Sequence, residues 1–246
     1  MSIFQAIILG AVQGLTEFFP VSSSGHLAIF FNLLGVAPSL SFSVFMHLAT
    51  LIPVLAVFRK EVFSLIKDKR KLLNLVIVTL PAGVVGLLFS STVEGLFENQ
   101  KILAWSFFAT ALCLILSHLL LKSGNKSIKK GSALVYGLFQ AVAVVPGFSR
   151  SGALLTAGRI LGIKEKESTS FVFLASVPII TASTCLEGVK CLQGQVVLEL
   201  LPTLFGFVSA MIFGFISTLI MKKLSKKSAL FFGVYLCLLS FIISIL

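Results

Sequence analysis

The sequence predicts an all-α polytopic membrane protein: six transmembrane helices plus two re-entrant helical hairpins, arranged as an inverted-topology repeat. Composition, the length of the apolar runs and an internal repeat with broken helices carry that prediction. Hydrophobic residues fill 57% of the 246 positions and charged residues only 12%, against about half and about a quarter in soluble domains. A water-soluble fold of this size has too little interior to hide so much apolar surface, so lipid is the expected solvent.

Six stretches nearly free of charge follow one another: 42–58, 72–92, 102–121, 168–186, 196–221 and 228–246. Each is near the roughly 17–25 residues that span hydrocarbon as a helix, and each is read as a crossing. The net charge of +11 would suit a nucleic-acid binder, but its distribution excludes that class. The basic residues gather in short loops between apolar runs: Arg59, Lys60, Lys67, Lys69, Arg70 and Lys71; Lys122, Lys126, Lys129 and Lys130; Lys164 and Lys166; Lys222, Lys223, Lys226 and Lys227. The alternate loops carry Glu94, Glu98, Lys101, Glu187, Lys190 and Glu199. That is the positive-inside signature, which makes the basic loops cytoplasmic and serves topology before any lipid binding. Residues 1–19 lack the basic start and small-residue cleavage site of a signal peptide. Cys113, Cys185, Cys191 and Cys237 have no metal-binding spacing and read as small apolar fillers.

Between the runs lie two related segments. Gly10, Gln13 and Ser24-Gly25 recur as Gly137, Gln140 and Ser151-Gly152, 127 positions later, with Pro20 answered by Pro146 one residue out of step. The loop charges make 130–164 leave and re-enter one side of the membrane. By the repeat, 2–36 is re-entrant from the other side. The domains are therefore 1–123, a hairpin and three crossings, and 124–246, the same unit inverted. Both termini are expected outside a multi-pass cell-membrane protein. Irregular backbone at membrane depth survives only inside protein or beside a wet cavity. The helix after each break aims its free N–H groups into that cavity, an arrangement that suits phosphate.

The chemistry concentrates at the breaks. Gln13 and Glu17 are four apart and share a helix face. A carboxylate at membrane depth, here Glu17, is costly and points to function. Arg150 offers a planar fork for phosphate oxygens. Its alternative role is a structural partner for Glu17, and a substrate could compete for that pair. His26, beside Glu17 and Ser22, Ser23 and Ser24, reads as a catalytic histidine. Gly25 and Gly152 allow close backbone approach, while Ser149 and Ser151 flank Arg150 as helix caps or phosphate ligands. His47 could face the same cavity, His118 reads as a helix-end cap, and Trp105 reads as an interfacial anchor.

Residues 13–27 resemble the first signature of the undecaprenyl-diphosphatase, or bacitracin-resistance, family. Residues 145–152, Val-Pro-Gly-Phe-Ser-Arg-Ser-Gly, resemble its second. The resemblance runs through the hydropathy layout of nearly the whole chain. It implies hydrolysis of a C55 isoprenoid diphosphate to the monophosphate and phosphate, which recycles the carrier for cell-wall synthesis and confers bacitracin resistance. It also implies a divalent cation, Mg2+ or Ca2+, and an active site open to the outer face. Residue by residue, the family's (Glu/Gln)-x-x-x-Glu element falls on Gln13 and Glu17, its Ser-Gly-His region on Ser22 to His26, and its arginine on Arg150. Gln13 takes the neutral option, Leu154 stands where the family commonly has threonine, and Ser170 stands where an acid is common. These departures bear on the metal site and on polar support, not on Glu17, His26 or Arg150.

The residue roles stay divided at this level. Glu17 either binds the metal, with Gln13 as second ligand, or acts as general base. The nucleophile is either water or Ser23, and His26 then handles protons. Ser22, Ser24, Gly25, Ser149, Ser151 and Gly152 join Arg150 in holding phosphate. The partners expected are the membrane lipid substrate and the bilayer, with no nucleic acid and with a homodimer left open. A transporter or flippase for a lipid phosphate or small anion is the alternative, because inverted repeats with midplane breaks are transporter architecture.

Overall fold

The computed structural model describes residues 1–97, 99–121, 124–194, 198–223 and 228–245, with the side chains of Ser90, Ser91 and Glu94 left aside. The loop charges expected at Glu94, Glu98, Lys122, Lys226 and Lys227 therefore lie outside the described residues. Among those described the chain is helical throughout, without a strand. In order the helices are α1 (Ile3–Thr16), α2 (Ser23–Leu33), α3 (Leu40–Val57), α4 (Arg59–Lys67), α5 (Lys69–Leu88), α6 (Ser90–Leu96), α7 (Gln100–Leu120), α8 (Lys130–Val142), α9 (Arg150–Ile160), α10 (Glu165–Leu192), α11 (Leu200–Lys223) and α12 (Ser228–Ile245).

Six helices, α3, α5, α7, α10, α11 and α12, are long and apolar enough to cross a membrane. Each covers one of the six apolar runs. Their outward faces carry large apolar side chains such as Leu80, Leu87, Leu88, Leu120, Phe231 and Phe241, which face hydrocarbon. The shorter helices α1, α2, α8 and α9 form the two hairpins. Gln5 Nε2 donates to the Leu34 carbonyl at 3.1 Å, so the chain returns beside its own start. The second hairpin closes the same way, with a bridge between Lys126 and Ile163.

Local chemistry sets the helix starts. Ser2 and Gln5 make a capping box on α1, Ser39 caps α3, Asp68 caps α5 and Asn99 caps α7. The packing of the long helices against the hairpins is matched across the two halves. Helix α1 lies on α11, as α8 lies on α5; α3 packs on α11, as α10 packs on α5; α7 pairs with α12. Small residues let these backbones close up: a Cβ added at Gly10 would fall 2.2 Å from the Gly206 carbonyl oxygen.

The ends of the bundle sort by contact. At one, the Met1 ammonium pairs with Glu199 at 3.0 Å, and Ser41 at the start of α3 donates to Glu187 near the end of α10 at 2.6 Å. At the other, Lys222 Nζ reaches the Val57 carbonyl at 2.8 Å. The N-terminus thus sits with the α10–α11 connection, opposite the basic loops. Glu187 and Lys190 correct the sequence reading, which puts them in a loop. Helix α10 runs on to Leu192. Glu187 is buried there because Ser41 and Lys190, 2.7 Å from Oε1, satisfy its carboxylate.

Candidate active site

Two helix breaks meet back to back. Helix α1 ends at Thr16, and Glu17 to Pro20 turn the chain before Ser22 caps α2 by accepting the Gly25 N–H at 3.3 Å. Ser22 holds φ +67°, a left-handed conformation unusual without glycine and a mark of strain at functional sites. Helix α8 ends at Val142, and Ser149 caps α9 through the Gly152 N–H at 3.2 Å. Gly147, at φ +86°, makes the turn between them. A Cβ on Gly25 would sit 3.0 Å from Gly147 Cα and 2.5 Å from the Phe107 ring, so glycine is what lets the breaks touch. Ser151 Oγ fastens them by donating to the Phe19 carbonyl at 2.9 Å.

A cavity of about 250 Å³ opens at this junction. Glu17, Ser22, Ser23 and Ser24 line it from the first break, and Ser149, Arg150 and Ser151 from the second. Its apolar wall includes Val44, Ala82, Ile179 and Ile180, and it reaches Val93 and Phe97. Those two residues belong to the α6–α7 end of the bundle, opposite the basic loops. Helices α2 and α9 start at the cavity, so two positive helix ends and the Arg150 guanidinium converge on it.

Glu17 is the hub. Arg150 Nη2 donates to its Oε1 in a short ion pair. Its Oε2 accepts from Ser23 Oγ at 2.6 Å and from Gln13 Nε2 at 2.8 Å, and His47 Nε2 stands 3.2 Å away. The Glu17 side chain is only 2% exposed, whereas Arg150 and His47 are 21% and 24% exposed. A ligand therefore meets Arg150 and His47 first and reaches the acid past them.

The placement of the expected residues is uneven. Glu17, Ser22, Ser23, Ser24, Ser149, Arg150 and Ser151 line one cavity. Gly25 and Gly152 serve the backbone around it: a Cβ on Gly152 would lie 3.1 Å from Thr110 Cγ2. His26 does not line the cavity. Its Nδ1 donates to the Ser22 carbonyl at 2.7 Å, its Nε2 accepts from the Tyr235 hydroxyl at 2.7 Å, and its ring packs against Phe107. Both nitrogens are engaged inside protein, and His47 rather than His26 lines the cavity. Gln140, the counterpart of Gln13, also lines the cavity, and sequence reading had used it only to mark the repeat.

For a divalent cation, no group of three or more His, Cys, Asp or Glu residues gathers among the described residues. Glu17 supplies one carboxylate, and Gln13 Oε1 is buried without a hydrogen-bond partner. Gln13 does not line the cavity and turns Nε2 rather than Oε1 toward Glu17, so a hard ion in the cavity would meet Glu17 and take its other ligands from phosphate and water, as Mg2+ commonly does.

Known proteins resemble this chain along nearly its whole length. Residues 6–242 match the family described as bacitracin resistance protein BacA. The chain is 37% identical to the undecaprenyl-diphosphatase of Thermosipho africanus over 97% of each protein. It is 37% identical to that of Methanococcus maripaludis, covering 97% of this chain and 98% of the relative. With the Bacteroides fragilis protein of the same name it shares 35% identity, over 96% of this chain and 94% of the relative.

Proposed function

The chain belongs to the bacitracin resistance protein BacA family, and from that membership and the Glu17–Arg150 cavity we propose how it hydrolyses undecaprenyl diphosphate to undecaprenyl phosphate and phosphate. It is a multi-pass membrane phosphatase that returns the lipid carrier to cell-wall synthesis, the activity behind bacitracin resistance. The observation that carries the residue roles is the convergence on one cavity of a buried carboxylate, a guanidinium, a hydroxyl bonded to that carboxylate and two helix N-termini.

The isoprenyl tail stays in lipid while the diphosphate enters past Val93 and Phe97. Its phosphate oxygens replace Glu17 on part of the Arg150 fork. The N–H groups at the starts of α2 and α9, with Ser22, Ser24, Ser149 and Ser151, hold the remaining oxygens and offset charge that builds in the transition state. Ser23 Oγ attacks the terminal phosphorus and gives its proton to Glu17 Oε2, to which it is already bonded. The bond from that phosphorus to the bridging oxygen breaks, and the isoprenyl monophosphate leaves with the electron pair. Water then attacks the phosphoserine, Glu17 returns its proton to Ser23 Oγ as the P–O bond breaks, and phosphate departs as the dihydrogen form that carries both protons of the water. A divalent cation, Mg2+ or Ca2+, held by Glu17 would reduce repulsion between the two phosphates.

The same proposal sets the cavity mouth on the outer face with both termini, which the charge sorting of the loops supports. It reads 1–123 and 124–246 as inverted copies of one unit, supported by the matched packing of α1 on α11 and α8 on α5.

Phosphate release from C55 and shorter isoprenyl diphosphates by the purified protein in detergent tests the reading. Glu17→Ala and Arg150→Ala should each lower kcat/KM per folded molecule by about 10²-fold or more. Chelation should lower turnover, and added Mg2+ or Ca2+ should restore it. A carrier without hydrolytic activity would release no phosphate. Full turnover in both variants would remove the site.

A further inference from the structure

We propose that His47 is a positioning residue of this site: it donates a hydrogen bond from Nε2 to Glu17 Oε2 and so fixes the oxygen that takes the Ser23 proton. The inference rests on the reading of Glu17 and Ser23 given above.

His47 stands on α3, outside both sequence signatures, and lines the cavity. Its ring is pinned at the far side. Nδ1 lies 2.7 Å from the carbonyl oxygen of Ser43, one helical turn earlier. A carbonyl can only accept, so Nδ1 carries a proton. The opposite nitrogen faces Glu17 Oε2 at 3.2 Å and Ser23 Oγ at 3.5 Å. A carboxylate oxygen is also an acceptor only, so the bond at 3.2 Å has Nε2 as its donor. His47 and Arg150 then grip opposite oxygens of one carboxylate.

That grip has a chemical consequence. Oε1 is taken by Arg150, which must loosen when phosphate arrives. Oε2 bonds Ser23, and it must keep its aim while its other half changes partner. Gln13 holds it from α1 and His47 from α3, two elements that pack on each other. Each restrains the carboxylate at the moment when the ion pair opens. The wall that carries His47 is itself fixed away from the site: Ser41, six residues earlier on α3, is bonded to Glu187 of α10.

The function required of position 47 is hydrogen-bond donation, not proton transfer, and this separates the substitutions. In the detergent assay, His47→Ala should lower kcat by about 10- to 100-fold and move KM by less than about threefold. His47→Gln presents an amide N–H at similar reach and should recover most of the lost kcat. Thermal unfolding of both variants guards against a folding defect. Turnover by His47→Ala within threefold of the parent overturns the inference, as does His47→Gln as slow as His47→Ala in a folded protein. Failure of the underlying site reading shows elsewhere, as turnover retained by Glu17→Ala and Arg150→Ala.

Discussion

Glu17 has more hydrogen-bond partners than oxygens. Arg150, Ser23, Gln13 and His47 crowd one carboxylate buried at a helix break. A buried charge is tolerated only when it is paired and bonded in this way, and the same bonds aim it at Ser23. His26 shows the opposite outcome for a residue that reads alike in the sequence. Its Ser-Gly-His context looked catalytic, yet the fold spends both its nitrogens on Ser22 and Tyr235. Tyr235 is 209 positions away from it, so no local pattern could have revealed the bond. If His26 is scaffold, Tyr235→Phe should leave a buried nitrogen unpaired and destabilise the protein by about 1–3 kcal/mol. Turnover per folded molecule should stay within about twofold. Thermal unfolding and active-site-normalised phosphate release measure the two effects, and a large loss of kcat at unchanged stability would return His26 to the chemistry.

Each hairpin is an element that would be unstable alone in lipid, since its break leaves backbone groups unpaired. Pairing the two breaks resolves this, through Ser151 to the Phe19 carbonyl and through serine caps on α2 and α9. The contact is close because Gly25 faces Gly147 and the Phe107 ring. Gly25→Ala should therefore force the breaks apart, costing about 1–3 kcal/mol and most of the turnover. Part of the stability should return in Gly25→Ala/Phe107→Leu, where the nearest ring atoms are gone. Detergent unfolding curves and initial rates check this, and an unaffected single variant would show that the breaks do not depend on close approach. The breaks themselves were legible in the chain: Pro20 and Pro146 stop helices, and the serine-glycine steps restart them. The six spans were legible as well, because hydrocarbon thickness sets a length that apolar runs must meet. Helix α10 was less so, since its last turns carry Glu187 and Lys190 and extend past the apolar run.

At the scale of the whole molecule, the charge pattern divides the loops into two faces, and contacts agree on which loops share a face. Met1 pairs with Glu199 at one end, and Lys222 reaches Val57 at the other. The topology proposal expects a single cysteine at Lys101 to react with an impermeant maleimide added outside intact cells. One at Lys129 should react only after the membrane is opened. Both belong in a background lacking Cys113, Cys185, Cys191 and Cys237. The reverse pattern would invert the protein and put the cavity mouth on the cytoplasmic side.

By itself the sequence determined the solvent, the number of crossings, the two broken hairpins and most polar side chains of the pocket. These follow from local quantities: apolar length, loop charge, and the placement of proline, glycine and serine. Only the tertiary structure decided that Glu17 and Arg150, 133 positions apart, form one pair, that His47 rather than His26 faces it, and that Glu187 finds partners within the bundle. Those outcomes depend on how distant helices pack. Packing sets distances between side chains that no spacing along the chain encodes.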